Sequence, residues 1–507
     1  MPPNILFIFT DQQRGDTLGT VNPVIRTPVL DRLCAEGTHF TEAYTPVPVC
    51  VPARCSLIFG QYATRTGCYE NGYPMPEVTP ERPTFMSALA AAGYETHGVG
   101  KMHFTPDPAA PRGFTSRVIS EELAGPPLDQ FQAWLIEQGY HDVTEPQGVR
   151  GEMYYVPQRS ALPAHAHNSH WVADRSIEYL RGRDRSRPFL LWSSFIAPHP
   201  PFSPPAPWHK LYRGPAMPLP KRPPDSHNLW TFINRVQNRY KFRDAGLDDR
   251  LLQIMKAYYY AQVSFIDYNV GRILAELEAQ GELDNTLILW TSDHGEFLGD
   301  YDCFGKRSFL RSAANVPLVV RYPDRFGMGS RVAAPASLVD VMPTFLAAAG
   351  VDAHGLSLDG VDLAALARQD QLRPAVFGHY QSGPADAYNR ACYMALTERW
   401  KYIYSAAENR EFLFDLRVDR EETRHRAETA GYLEQTAAMR RLMVGQVWSA
   451  GREQVLDGDG WRAYPPPAFH ADPDGGLLFQ DPAWAADQFR IPGYTDDAPA
   501  PVLNVQL

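Results

Sequence analysis

The chain has 507 residues, 58 acidic against 48 basic, a formal charge of −10 with histidine neutral, and 44% hydrophobic residues. That length exceeds one ordinary core, so a large domain with a smaller one attached is expected. The charge excludes a broad nucleic-acid or anionic-membrane surface and leaves any anionic ligand to a local basic pocket.

The N-terminal residues Met1-Pro-Pro-Asn4 carry no basic leader, and the apolar run after them is too short for a signal core. No stretch is long enough to span a membrane. The six cysteines (Cys34, Cys50, Cys55, Cys68, Cys303, Cys392) include no Cys-x-x-Cys pair, which suits a reducing compartment. A cytoplasmic protein with no nucleic-acid or membrane partner is therefore expected.

Residues 4–10 form a continuous apolar run, the pattern of a strand buried on both faces, and it stops at Asp11-Gln12-Gln13-Arg14-Gly15. Thr27-Pro28 caps a helix reaching residue 35, closed by Gly37. A proline-stiffened approach, residues 44–49, then delivers Cys50 to the start of a helix with Pro52 in its first turn and Arg54 one turn on. Unpaired N–H groups and the positive dipole end converge there, which favours an anion. Thr84 caps a helix over 85–92, and a strand over 94–99 ends in Gly100-Lys101-Met102-His103-Phe104.

Residues 105–166 are rich in proline, glycine and charge, the pattern of an insertion over the active face outside the core. A helix over 169–180 leads into a strand over 188–195, which ends in Ala197-Pro198-His199-Pro200-Pro201-Phe202. After the loop-like residues 204–249, a long helix is predicted over 251–280, then a strand over 286–290 ending in Ser292-Asp293-His294-Gly295-Glu296. A strand over 316–320 and a helix over 336–349 follow.

From residue 375 the pattern changes to short strands (375–378, 393–396, 402–404, 411–416) and one helix over 433–448. The expectation is an α/β protein: a doubly wound, mostly parallel sheet over 1–374, a smaller α+β subdomain with an antiparallel sheet over 375–460, and an aperiodic tail over 461–507 that either wraps a partner subunit or is disordered, its aromatic content favouring wrapping.

Four strands thus end in groups able to bind metals or anions, and ligands collect at the carboxyl ends of strands in such sheets. Asp11, Gln12, Asp293 and His294, with Cys50, form a candidate site for one divalent ion. Oxygen-dominated coordination suits Ca²⁺, while the amide and imidazole shift the set toward Mn²⁺. Arg54, Lys101, His103, His199 and Lys306 supply a cationic layer. His165, His167 and His170 form a His-x-His-x-x-His cluster without an acidic partner nearby, and His97 falls inside a strand. Asn71, His379 and Tyr380 are weaker candidates for the pocket wall.

Cys50-Val-Pro52-Ala-Arg54 at a helix start resembles the signature of the formylglycine-dependent (type I) sulfatases of the alkaline-phosphatase superfamily. Gly100-Lys101-Met102-His103 is similar to that family's Gly-Lys-x-His element and Ala197-Pro198-His199-Pro200 to its Pro-His element. The chain departs from the pattern at Ala53, usually serine, at Phe59-Gly60-Gln61, usually Thr-Gly-Arg, at Gln12, usually aspartate, and around Lys306. Gly100-Lys101-Met102-His103-Phe104 also looks like the element of choline-sulfatase-type enzymes.

The resemblance implies that a maturation enzyme oxidises Cys50 to formylglycine, and that its hydrated aldehyde attacks the sulfur of a small sulfate monoester. It further implies that His103 takes a proton from the second hydroxyl to release sulfate, Lys101 and Arg54 hold the anion, and His199 and Lys306 assist the departing alcohol. A homo-oligomer, dimer or tetramer, is expected by the same resemblance. A phosphonate monoester hydrolase or phosphodiesterase also fits, but that branch is understood to carry neutral residues at the positions of Lys101 and His103. A non-catalytic anion- or metal-binding homologue with an unmodified Cys50 is the reading from another class.

Overall fold

The computed structural model describes residues 2–122, 124–150, 154–241 and 248–468. The chain opens with β1 (Asn4–Asp11), α1 (Pro28–Glu36), β2 (Thr38–Phe40), β3 (Ala43–Tyr44), α2 (Cys50–Phe59) and α3 (Ala63–Thr66). Next come α4 (Phe85–Ala91), β4 (Glu95–Gly100), β5 (Ser116–Ile119), α5 (Gln130–Glu137), α6 (Asn168–Gly182), β6 (Phe189–Pro198), α7 (Phe232–Lys241) and α8 (Asp249–Ala279). β7 (Thr286–Ser292), α9 (Arg311–Ala314), β8 (Leu318–Arg321), β9 (Ser330–Val332), β10 (Ala336–Ser337), α10 (Val341–Ala349) and α11 (Leu363–Ala367) complete the larger part. The last elements are β11 (Val376–Gln381), β12 (Ala391–Leu396), β13 (Trp400–Ser405), β14 (Arg410–Asp415), α12 (Leu433–Ser449), β15 (Leu456–Asp457) and β16 (Gly460–Trp461).

Eight strands form the main sheet in the order β5-β4-β6-β1-β7-β8-β2-β9. Every pairing is parallel except β7 with β8 and β8 with β2. Alternate residues of β1 go to opposite faces, as the two-residue period of a strand requires. Ile5, Phe7 and Phe9 pack with Leu57, Phe85, Trp192 and Phe345 on the side of α2, α4 and α10. Leu6 and Ile8 pack with Trp171, Leu180, Ile266 and Ile273 on the side of α6 and α8. Both faces are covered, the doubly wound arrangement expected.

The small sheet, β11-β12-β13-β14, is antiparallel throughout. One face carries α12 through Tyr393, Tyr402, Met439, Met443 and Val447, and the other rests on Phe297, Phe309 and Leu310 of the larger part. The β15–β16 hairpin closes on it, with Trp461 stacked on Tyr404 at 4.5 Å and its indole N–H donating to Tyr402 at 2.7 Å. Residues 469–507, most of the predicted tail, lie outside the described residues.

Three local expectations change. The insertion contributes to the core: β5 extends the main sheet beside β4, and α5 buries Phe131 and Leu135. The helix predicted from 336 starts at Val341, because Ala336 and Ser337 pair with β3 and Ser337 forms a capping box with Asp340. β2, β3, β9 and β10, of two or three residues each, are too short to show alternation.

Candidate active site

Register alone brings the candidate residues to one edge. β1 runs parallel to β7 with Thr10 opposite Ser292, so Asp11 and Asp293 leave the sheet side by side. On the other flank Asp11 lies opposite Pro198, with His199 next, and Gly100 lies opposite Ser194, with Lys101 next. The register shifts between Thr10 and Asp11, and Gln12 adopts φ 64°. A bulge and a left-handed residue of this kind re-aim a strand end.

Helix α2 brings two more groups. Cys50 opens it, all ten of its residues are buried, and Asn71 accepts the Val51 N–H at 3.1 Å. Cys50 Sγ lies 3.3 Å from His294 Nε2 and 3.6 Å from Asp11 Oδ1. Lys306 Nζ reaches Cys50 Sγ at 3.0 Å and Gln12 Oε1 at 2.9 Å. The neighbouring Arg307 fixes that loop by pairing with Glu70 at 3.0 Å.

Every nitrogen of Arg54 donates. Nη2 pairs with Asp11 Oδ2 and Nε with Asp293 Oδ2, each at 3.1 Å, while Nη1 donates to the Lys101 carbonyl at 2.6 Å and to Ser194 Oγ at 3.4 Å. Its guanidinium also lies 4.8 Å over the Phe9 ring. This arginine therefore braces three strand ends against the helix that carries Cys50.

Lys101 Nζ bridges Asp11 Oδ2 at 2.8 Å and Glu122 Oε2 at 2.5 Å. Glu122 also meets Arg150 Nη1 at 2.8 Å and His199 Nδ1 at 3.1 Å. His103, at φ 54°, is held by its backbone N–H on Glu121, and its Nδ1 has no hydrogen-bond partner among the described residues.

Burial raises the cost of every unpaired charge here. It would push Asp11 up, but Lys101, His199, Lys306 and Arg54 hold its carboxyl well below the usual range. Burial and Asp11 likewise oppose the Cys50 thiolate, and Lys306, Lys101 and His294 overcome them, bringing the thiol well below its ordinary value. Glu122, also opposed by burial, is kept ionised by His199, Lys101 and Arg150. Asp293 goes the other way: burial first, then the charge of Asp11, raise it to about 6.

That asymmetry bears on a metal. Asp11, Cys50, Asp293 and His294 offer ligand atoms all within 4.8 Å of one another, and all four residues are buried. Arg54 occupies Oδ2 of each aspartate. The Oδ1 atoms lie 3.8 and 3.6 Å from His294 Nε2. A divalent cation at this point would relieve the repulsion that raises Asp293, so the donor set fits one.

Glu122, Glu296 and Ser194 belong to the site although no role was expected of them. Glu296 accepts a hydrogen bond from Gln12 Nε2 and one from Tyr155 at 3.4 Å. Glu122 sits in an aperiodic segment, and nothing in its neighbourhood signals a role. Elsewhere, His97 stacks on Tyr179 at 4.3 Å, and His379 stacks on Tyr393 with the Tyr69 ring tilted against it. Tyr380 donates to Glu70 at 2.7 Å. His167 caps α6, His170 faces Asp174 at 3.6 Å and His165 faces Tyr140 at 3.4 Å.

Residues 3–351 match the sulfatase family model, and residues 299–447 match the model of the C-terminal part of N-sulphoglucosamine sulphohydrolase. An arylsulfatase of Clostridium perfringens is 29% identical over 90% of this chain and 96% of its own. PehA, a multifunctional alkaline phosphatase superfamily protein of Trinickia caryophylli, is 31% identical over 68% of this chain and 73% of its own. The phosphonate monoester hydrolase of Agrobacterium radiobacter superposes with a TM-score of 0.76 at 24% identity, over 92% of this chain and 100% of that one, which is a likeness of fold.

Proposed function

The chain belongs to the sulfatase family and is a sulfuric ester hydrolase; from that premise we propose that it cleaves a small sulfate monoester at residue 50, after Cys50 has been matured to formylglycine. The observation that carries this reading is the set of buried cations around one thiol: Lys306 on the sulfur, Lys101 beside Asp11 and Arg54 behind. A transferring sulfuryl group needs charge compensation on its nonbridging and leaving oxygens, and fixed cations in a dry cleft supply it at little reorganisation cost.

Asp11, Asp293, His294 and Gln12, with residue 50, would hold one divalent ion, Ca²⁺ or Mn²⁺. Bound there, such an ion supplies Lewis acidity to the nucleophile and to a sulfate oxygen. Lys101 holds a nonbridging oxygen of the ester, oriented by its bridge to Asp11 and Glu122. Lys306 faces the reacting atom of residue 50 and stabilises negative charge there. The unpartnered Nδ1 of His103 takes a proton from the hydroxyl of residue 50 when sulfate leaves. His199, anchored on Glu122, gives a proton to the leaving oxygen. Arg54, with each of its three nitrogens bonded to protein, orients Asp11 and Asp293.

A second reading is hydrolysis of phosphonate monoesters, the activity named for a hydrolase that shares this fold. Turnover of an aryl sulfate and of a phenylphosphonate ester by one preparation decides between them, with peptide mass spectrometry across residues 43–65 to establish the state of residue 50. The sulfate reading expects formylglycine and a preference for the sulfate. A strong preference for the phosphonate replaces it, and an intact thiol in protein from a host able to mature it supports a binding protein.

A further inference from the structure

Apart from the Cys50 centre, a cavity of about 260 Å³ opens where the loop after β1, the end of β2 and the side chains of Arg311, Arg331 and Arg420 meet. None of its lining residues belongs to the centre around Cys50. Its charge is lopsided in a chain whose total is −10.

On one wall, Arg311 and Arg420 share a single carboxylate, Glu42, at 2.7 and 2.5 Å. Arg331 pairs with no carboxylate among the described residues; its Nη2 donates to the Thr20 carbonyl at 3.1 Å. His39, 3% exposed, lines the cavity beside them, and its Nδ1 has no hydrogen-bond partner among the described residues. Burial, then Arg331 and Arg420, push its imidazole down to about 4, so both guanidinium groups act on it. The opposite wall is compensated: Arg14 pairs with Asp16 and Asp300, and Lys221 with Glu421.

We infer that the wall formed by Arg331, Arg420, Arg311 and His39 binds a tetrahedral dianion, free or as the end group of a larger molecule. Guanidinium forks match such an oxyanion in geometry as well as charge. With about 30 Å³ of liquid volume per water, the cavity has room for the anion and several waters or an attached group. Unlike the centre at Cys50, its lining carries no cysteine, and its Ser312 hydroxyl donates to Asp300 at 2.7 Å, so the site binds the anion and does not cleave it.

The test is equilibrium dialysis of the full chain with radiolabelled inorganic sulfate. Arg331→Ala/Arg420→Ala removes two exposed side chains, and thermal unfolding confirms that the variant is folded. It is expected to bind one sulfate fewer per chain than the parent, whereas Lys101→Ala, aimed at the Cys50 centre, keeps that sulfate. Affinity at the cavity is expected to fall as ionic strength rises. A small alkyl phosphate, itself a dianion at about pH 8, added as competitor identifies the occupant: displacement more effective than unlabelled sulfate indicates an end group, and less effective a free anion, either order supporting the site. Unchanged sulfate stoichiometry in Arg331→Ala/Arg420→Ala overturns it, whatever Lys101→Ala does, so this inference fails or stands independently of the reaction assigned to Cys50.

Discussion

Lys306 Nζ rests 3.0 Å from Cys50 Sγ although 256 positions separate them in the chain. The ammonium is buried, 2% exposed, and its other partner is the Gln12 amide oxygen, so its charge acts on residue 50 at low dielectric. Lys306→Ala is expected to lower kcat/KM for an aryl sulfate by roughly 10²–10³, with Lys306→Arg recovering part of it. Steady-state kinetics check this, and a change confined to KM would place the lysine in binding only.

Cys50→Ala removes the reacting atom and leaves the helix, since alanine suits a first helical turn. Turnover is expected to drop by on the order of 10³ or more, while the unfolding midpoint moves little.

Metal loss has its own signature. Dialysis against a chelator is expected to abolish turnover, and returning Ca²⁺ or Mn²⁺ to restore it, the better ion identifying the resident one. Asp293→Ala should bring the metal content measured by elemental analysis well below one ion per chain. Full content in that variant would move the ion elsewhere.

The sheet core predicts a stability change with no direct chemical role. Phe7 packs against Phe9, Phe85, Trp192 and Phe345 at centroid distances between 5.0 and 6.0 Å. Phe7→Ala leaves a void among close-packed rings and is expected to cost about 3–5 kcal/mol in denaturant unfolding.

Acid sensitivity follows from buried histidines. Burial pushes His97 and His167 down to about 4 and His379 to about 3, from an ordinary 6.5. The unfolded chain therefore takes up these protons before the folded one does. Their contribution is complete above pH 6.5 and is lost as pH falls toward 4, at up to about 1.4 kcal/mol per pH unit for each histidine. His379, whose ring nitrogens have no hydrogen-bond partner among the described residues, isolates one share: in urea unfolding at pH 7 and pH 5, His379→Phe should show a smaller loss than the parent.

Much of this was legible from strands. Residues 4–10 announce β1 because both faces are apolar, and the same holds for β6 and β7, so the placement of Asp11, His199 and Asp293 at strand ends followed from pattern. Arg54 was legible as a residue one turn after Cys50, but its binding to Asp11, Asp293, Lys101 and Ser194 depends on register between distant strands. Glu122 and β5 were hidden because prolines and glycines around residues 105–128 mask the short strand. The cavity beside His39 is assembled from six separate stretches of chain, whose spacing in the sequence gives no sign that they meet.

Cys50 is 1% exposed, walled by Lys306, His294 and Asp11, at the head of a helix without a solvent-facing side. No catalyst the size of a protein can grip that sulfur in the finished fold, so the maturation proposed for Cys50 would have to take place on the nascent chain, before strands β1 and β7 close the sheet. A molecule that folds with its thiol intact is locked out of maturation, and adding the modifying enzyme to it later should convert none of it until it is unfolded. The activity of any preparation is then a fossil of how fast the ribosome, the oxidising enzyme and the collapsing sheet raced one another.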